Sequence, residues 1–299
     1  MSKRRLVIVL VVTFGLSWGV WIPAGIALGT FSQGESSSTA MIALVAVGMF
    51  FPLVGALVAN AACPREGRLN LGVRPLVGDN LRIYLIAWLS PAAMVLLGII
   101  VFFVARPNLF DPTGTAYLTQ IGAPESVTQE IGPMTIAAIV ASAVIYAPFI
   151  NMIPAFGEEV GWRGMLFPSL CELMPERMAV VASGVIWGVW HAPIIAMGHN
   201  YGMSYPGFPV LGILSMVVMC TAVASILSWL RKRSGSVWTC ALFHGAFNAA
   251  ANLGVVFCRV GQTLTGPSPL GIIAGIPTIV FAVVVWRKFM STSPGSGRN

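Results

Sequence analysis

The sequence predicts an all-α, polytopic membrane protein with about eight transmembrane helices. Hydrophobic residues make up 57% of its 299 residues and charged residues only 9%, whereas soluble domains average about 45–50% apolar and about 25% charged residues. Long uncharged stretches also approach the ~20 residues that an α-helix needs to cross a bilayer. These stretches are residues 6–29, 40–62, 83–105, 133–157, 178–198, 209–230, 236–257 and 268–286.

The segments between the apolar stretches are short, which predicts a single integral membrane domain over residues 1–299. Its motif-bearing region is 155–250, and the Ser- and Gly-rich residues 291–299 are predicted to form a flexible tail. The first stretch, 6–29, is interpreted as a retained helix because it is longer than a typical signal-peptide core and no clear cleavage site follows it. A cleaved signal peptide is the alternative.

The basic residues predict the topology. With eight crossings, both termini lie in the cytoplasm, and of the 17 Lys and Arg residues only Arg106 and Arg259 fall on the other side. This asymmetry is what the positive-inside rule requires. The net charge of +7 is then explained by topology and by contact with the lipid bilayer, and no nucleic-acid partner is expected. We expect the plasma membrane in a prokaryotic host and the endoplasmic reticulum in a eukaryotic one.

Three charged side chains lie where the chain otherwise resembles a membrane helix. Glu158, Glu159 and Arg163 are the only charged residues between Gly132 and Cys171. An ionised Asp, Lys or Arg at the bilayer centre costs roughly 2.5–3.5 kcal/mol on insertion scales, so such residues face the protein interior and usually carry function. The alternative, a salt bridge in a surface loop, is disfavoured by the apolar sequence on both sides.

Helix geometry separates the two acids. Glu159 and Arg163 are four residues apart, which lets them form an ion pair on one helix face. Glu158 is offset from Arg163 by about 140° and is therefore predicted to lack a partner. A carboxylate in an apolar setting is suited to act as a general base near neutral pH, and Glu158 is the predicted base.

Two histidines and one asparagine supply the remaining polar groups of the predicted site. His244 and Asn248 are four residues apart on one helix face and are suited to donate hydrogen bonds to an oxyanion. His191 is followed by Pro193, which is predicted to kink the helix and to make room for water. Helix spacing puts both histidines roughly 16 to 20 Å from the cytoplasmic ends of their helices, so a site in the cytoplasmic half is expected. Polar contacts that only pack the bundle are the alternative, and His199 is expected to be solvated.

Small residues at helical spacing predict close helix packing around these groups. Gly184 with Gly188 forms one such pattern, and Ala241, Gly245 and Ala249 form another. Patterns of this kind let helix backbones approach within side-chain reach, although they also occur in bundles that carry no site.

Three short motifs occur in order along the chain. They are EExxxR at 158–163, an aromatic residue four positions before histidine at 187–191, and HxxxN at 244–248. The set resembles the motifs EExxxR, FxxxH and HxxxN of the CAAX prenyl protease and bacteriocin-processing family, also called ABI or CPBP intramembrane proteases. The resemblance covers about residues 155–250. Trp187 stands where the family usually has phenylalanine, which affects pocket shape more than chemistry.

The resemblance implies an eight-helix membrane domain that hydrolyses a peptide bond at the membrane. The implied substrate is a peptide or protein, lipid-modified or membrane-bound, and the site is expected to open to the cytoplasmic side. The resemblance also assigns roles to the motif residues: Glu158 and His191 activate water, His244 and Asn248 stabilise the oxyanion, Trp187 lines the pocket, and Glu159 with Arg163 holds the site together.

Other chemistry and other functions are compatible with the same residues. Glu158, His191 and His244 can supply the two-histidine, one-glutamate ligand set of many zinc peptidases. Because an H-E-x-x-H helix is absent from the sequence, a site without a cofactor is preferred and zinc is the alternative. A non-catalytic immunity or scaffold protein that binds a peptide in the same cavity is the other functional class. A proton-coupled transporter is disfavoured because the sequence shows no internal repeat.

Overall fold

The computed structural model describes residues 3–33, 39–64, 69–120, 122 and 133–290, and the predicted tail 291–299 lies outside them. The first part contributes α1 (Lys3–Ala27), α2 (Thr30–Gln33), α3 (Thr39–Gly48), α4 (Phe51–Ala62), α5 (Val77–Ala105), a 3-10 helix (Pro107–Leu109) and α6 (Thr115–Gln120). The second part contributes α7 (Pro133–Ile145), α8 (Ala147–Glu159), a π-helical segment (Val160–Leu166), α9 (Phe167–Cys171), α10 (Glu176–Trp190), α11 (Ala192–Ala196), α12 (Val210–Ser234), α13 (Val237–Ala250), α14 (Leu253–Val256) and α15 (Ile276–Phe289).

The described residues contain no β-strand, and the predicted all-α membrane fold class is confirmed. Among them, four helical segments are long and apolar enough to cross a membrane: Lys3–Ala27, Thr39–Ala62, Val77–Ala105 and Val210–Ser234. Met134–Ile145 and Ala147–Cys171, bent by 41° at their junction, form a fifth candidate when counted as one span. The number of eight crossings stays a prediction.

The last predicted stretches are helical only in part. α10 ends at Trp190, just before Pro193, and α13 ends at Ala250. Residues 266–271 read GPSPLG, and this density of Gly and Pro delays the next helix until Ile276. Much of the irregular chain between α13 and α15 is nevertheless buried within the protein. Irregular backbone at membrane depth is tolerated where it is covered by protein or lines a polar cavity.

Close helix contacts hold the second half of the chain together. α8 packs along α13, and α10 packs along α12. A Cβ atom added at Gly188 would collide with the backbone of Val217 in α12, and Gly184 meets the same helix. A Cβ atom at Gly245 in α13 would lie 2.6 Å from the carbonyl oxygen of Pro148 in α8. The predicted close packing at these small residues is therefore confirmed.

The two ends of the bundle differ in charge. At one end, Lys232 forms an ion pair with Glu176 at 2.7 Å, and Arg177 Nε donates to the carbonyl oxygen of Met290 at 3.0 Å. We call this the basic end, and its cationic side chains include Arg74, Arg177, Arg231, Lys232, Arg233, Arg287 and Lys288. The opposite end, called the loop end, is formed by residues 197–209 and 251–275, which connect the other termini of the same helices.

Candidate active site

A cavity of about 520 Å³ lies among α8, α10, α12, α13 and the segments of the loop end. The structure brings predicted site residues from three separate helices around this one volume. Two further predicted residues, Glu159 and Arg163, are buried outside the cavity lining. The predicted residues in the lining are Glu158, Trp187, His191, His244 and Asn248.

Glu158 is held by two tryptophan side chains. It lies in the last turn of α8 and is only 2% exposed. Its Oε2 accepts hydrogen bonds from the indole Nε1 of Trp162 at 3.1 Å and of Trp187 at 2.7 Å. Glu158 thus stays out of the ion pair that Arg163 forms with Glu159, as predicted, but its carboxylate has hydrogen-bond partners that were not predicted. Helix spacing excluded Arg163, but it could not show that neutral N–H donors approach from the next turn and from α10.

Glu159 joins two cationic or potentially cationic groups. Its Oε1 lies 3.1 Å from Arg163 Nη1 and 2.9 Å from His244 Nδ1. The guanidinium of Arg163 also stacks over the ring of Trp187, 4.3 Å from its centroid, a favourable cation–π geometry. The contact with Arg163 follows from the four-residue spacing on a helix. The contact with His244 depends on α13 lying against α8, so local sequence did not reveal it.

His191 stands where α10 is interrupted, one residue before α11 begins. Its Nδ1 lies 2.9 Å from the carbonyl oxygen of Trp187. Because a carbonyl oxygen only accepts, Nδ1 carries the hydrogen in this contact. In the neutral ring, Nε2 is then left with a lone pair that can accept a proton or a hydrogen bond.

Asn248 lies one turn beyond His244 on α13, and its exposed side chain lines the cavity. The two side chains therefore line the cavity from the same helix, as four-residue spacing requires. Both can donate hydrogen bonds, the amide through Nδ2 and the imidazole through Nε2 when the ring is protonated. The carboxylate of Glu159 beside His244 Nδ1 is complementary to that protonated form.

Sequence reasoning missed three residues of the site, one that holds Glu158 and two that line the cavity. Trp162 carried a usable signal, since it lies four residues after Glu158. His199 was expected to be solvated, yet it is half-buried and lines the cavity, where burial lowers its pKa to about 4. Gln262 also lines the cavity, but it lies in an irregular segment whose path no periodicity predicts.

The preference for a site without a cofactor stays a prediction. The Nδ1 atoms of His191 and His244 have other partners, as does one oxygen of Glu158, so a zinc ion would have to be held by the Nε2 atoms of the two histidines and the other Glu158 oxygen. Across the described ranges, no group of three or more His, Cys, Asp or Glu side chains is positioned to hold a metal ion.

The fold and the cavity together define the class of protein. It is an all-α membrane protein with a buried site of glutamate and histidine side chains. Residues 128–250 match the family described as type II CAAX prenyl endopeptidase, Rce1-like. This interval contains all three motifs, so the predicted resemblance to CAAX proteases is confirmed.

The chain is also similar to CAAX prenyl protease 2 of Methanococcus maripaludis. The two sequences are 27% identical over 101 residues, which cover 33% of this chain and 37% of that protein. The chain thus spans little more than a third of the length of this relative.

Proposed function

We propose that this protein is an intramembrane endopeptidase that hydrolyses a peptide bond with water activated by Glu158 and His191. One observation carries the proposal: the Glu158 carboxylate and the His191 imidazole line one cavity together with the polar side chains of α13. A carboxylate and an imidazole with a free lone pair are the groups that general-base activation of water requires. The family match over residues 128–250 supports the same reaction class.

The proposed reaction has two steps. A water molecule donates one hydrogen bond to His191 Nε2 and transfers its other proton to the Glu158 carboxylate as its oxygen attacks the peptide carbonyl carbon. Asn248 and His244 donate hydrogen bonds to the resulting oxyanion. The C–N bond then breaks as Glu158 returns the proton to the leaving amine, which yields a carboxylic acid and a free amine.

Glu159 and Arg163 support this reaction without contact to the substrate. Glu159 fixes the Nδ1 side of His244, so the other ring nitrogen is directed to the cavity. Arg163 balances the charge of Glu159 in a site where both side chains are at most 1% exposed. We therefore propose that the pair fixes the orientation of the oxyanion donor.

The proposed substrate is a peptide or protein at the membrane. The curated relative is named a CAAX prenyl protease, which makes a lipid-modified or membrane-bound peptide the substrate class to test first. The exposed apolar side chains on the candidate spans support a site within the depth of the lipid bilayer. A substrate anchored in the same bilayer would be concentrated next to the site.

We further propose that the substrate reaches the site from the loop end. The lining of the cavity includes His199, Asn252 and Gln262, all in the segments of that end. By the positive-inside rule the basic end is cytoplasmic, so this proposal replaces the predicted opening to the cytoplasm with one on the opposite side.

Thiol labelling tests the direction of access. The native cysteines among the described residues are all buried, so background reaction is low. In intact cells, a membrane-impermeant maleimide is expected to label Asn252→Cys but not Arg287→Cys, which lies at the basic end. The reverse pattern in intact cells and inverted vesicles would restore the cytoplasmic opening.

Cleavage in proteoliposomes tests the reaction. Purified protein would be incubated with blocked hydrophobic peptides, with and without an isoprenoid or acyl group, and products would be identified by mass spectrometry. We expect cleavage at one internal peptide bond in at least one peptide. A protein that binds these peptides and leaves them intact would support the non-catalytic scaffold instead.

The hydrogen bond from Trp187 to Glu158 gives a specific kinetic expectation. Trp187→Phe keeps an aromatic ring but removes the N–H donor, and hydrogen bonds to charged groups contribute roughly 1.5–3 kcal/mol. Because Trp162 still holds the same oxygen, we expect kcat to fall about 10-fold with KM nearly unchanged. Steady-state kinetics on the cleaved peptide measures both constants.

Trp286→Phe is the matched control. Its indole donates to the carbonyl oxygen of Arg177 at the basic end, at 3.1 Å, and it lies outside the cavity. We expect wild-type kcat for this variant. Equal kcat values for Trp187→Phe and wild type would show that the bond to Glu158 has no role in catalysis.

A further inference from the structure

We infer that Gln262, together with Asn252, forms a subsite at the mouth of the cavity that binds the backbone of a neutral peptide segment. In this subsite the Nε2 group of Gln262 donates to a substrate carbonyl oxygen. The inference rests on the proposed function for the identity of the ligand, and it assigns substrate binding to residues beyond the three motifs.

The first observation is the orientation of the Gln262 side chain. Its Oε1 accepts a hydrogen bond from the backbone N–H of Ser268 at 3.1 Å, which fixes the carboxamide in one orientation. Its Nε2 is buried and has no hydrogen-bond partner in the described part of the chain, although Gln262 lines the cavity. A buried donor without an acceptor is costly, so a ligand carbonyl at this position would be stabilised.

The second observation is the charge of the cavity. Of the side chains that line it, Glu158 is the only acid, and the lining contains neither lysine nor arginine. The lining carries carboxamides instead, from Asn200, Asn248, Asn252 and Gln262. His199 is neutral at neutral pH, since its pKa is lowered to about 4 by burial.

This composition selects for a particular ligand. A peptide backbone presents alternating donors and acceptors without net charge, and a carboxamide offers both a donor and an acceptor. A charged residue placed at the mouth would be desolvated without a counter-ion. The subsite therefore fits an uncharged, extended segment of peptide that continues from the bond to be cut toward the loop end.

The third observation is the position of these residues along the chain. Asn252 and Gln262 follow the family-matched interval, which ends at residue 250. The irregular segment between α13 and α15 that carries them is folded back over the cavity. The chemistry of the motifs and the selection of the peptide thus come from different parts of the chain.

Peptide binding tests the subsite separately from catalysis. The probe is an N-acetylated, C-amidated peptide of nine Leu, Val, Ala and Ser residues. Its dissociation constant is measured in the Glu158→Gln background from the fluorescence of Trp187 and Trp190, which line the cavity. We expect Gln262→Leu to raise this constant about 3- to 10-fold, the loss of one neutral hydrogen bond. With an active enzyme, KM is expected to rise by the same factor and kcat to stay constant.

Two variants keep the test decisive. Gln262→Glu preserves the shape and the oxygen that accepts from Ser268, but it replaces the donor by an acceptor, and at least the same weakening is expected. Gln120→Leu is the matched control, because its Nε2 donates to the carbonyl oxygen of Arg259 at 2.9 Å outside the cavity, and no change is expected.

The possible outcomes separate the two proposals. Dissociation constants that are unchanged in both Gln262 variants, or equally changed in Gln120→Leu, would overturn the subsite. Peptide binding that depends on Gln262 without any cleavage by the wild type would support the subsite and reject the endopeptidase. Cleavage by the wild type that is insensitive to Gln262 would do the opposite.

Discussion

Replacing Glu158 with glutamine is expected to lower kcat for peptide cleavage by about 10²- to 10⁴-fold, the range that a positioned general base contributes. Glutamine has nearly the same shape, and its carbonyl oxygen can still accept from the indoles of Trp162 and Trp187. It cannot take a proton from water at neutral pH. The loss is therefore expected in kcat, with the dissociation constant of the peptide nearly unchanged.

Glu172→Gln is the control for this experiment. Glu172 is an exposed acid in the turn between α9 and α10 and does not line the cavity. We expect this variant to cleave the peptide at the wild-type rate. If Glu158→Gln and wild type cleaved equally well, the water-activation mechanism would be rejected even if the protein is a peptidase.

Replacing Arg163 with methionine is expected to destabilise the protein by about 3–5 kcal/mol, the typical cost of removing one partner of a buried ion pair. Arg163 and Glu159 are 1% and 0% exposed, so the remaining carboxylate would be left buried without its guanidinium partner. Unfolding in detergent, followed by tryptophan fluorescence, measures the free energy of unfolding.

The double variant Glu159→Gln with Arg163→Met separates the effect of this ion pair on stability from its effect on catalysis. Because it removes both charges, most of the lost stability is expected to return. Peptide cleavage is expected to stay low, since His244 loses the carboxylate that lies 2.9 Å from its Nδ1. Full recovery of cleavage in the double variant would mean that Glu159 does not position His244.

Local spacing accounts for one set of contacts in the candidate site. Glu159 and Arg163 lie one helical turn apart, and so do His244 and Asn248. Such neighbours meet whenever the segment is helical, whatever packs against it. The hydrogen bond from Trp162 to Glu158 also joins residues one helical turn apart, so the same spacing rule could have predicted it.

Contacts between helices could not be read from the sequence in this way. Trp187 lies 29 residues from Glu158, and His244 lies 85 residues from Glu159. Whether these side chains come into contact depends on which faces of α8, α10 and α13 meet. Small residues such as Gly245 favour a close approach but do not specify the partner helix or its rotation.

The sequence by itself determined the fold class and the residue types at the site. Hydropathy is a sum over individual side chains, and the cost of a charge in the membrane identifies Glu158, Glu159 and Arg163 without knowledge of the fold. Only the tertiary structure decided which groups hold Glu158 and that Gln262 lines the same cavity. These features arise from contacts between segments that are distant in the sequence. Side-chain packing sets the geometry of such contacts, and no periodic pattern in the sequence indicates it.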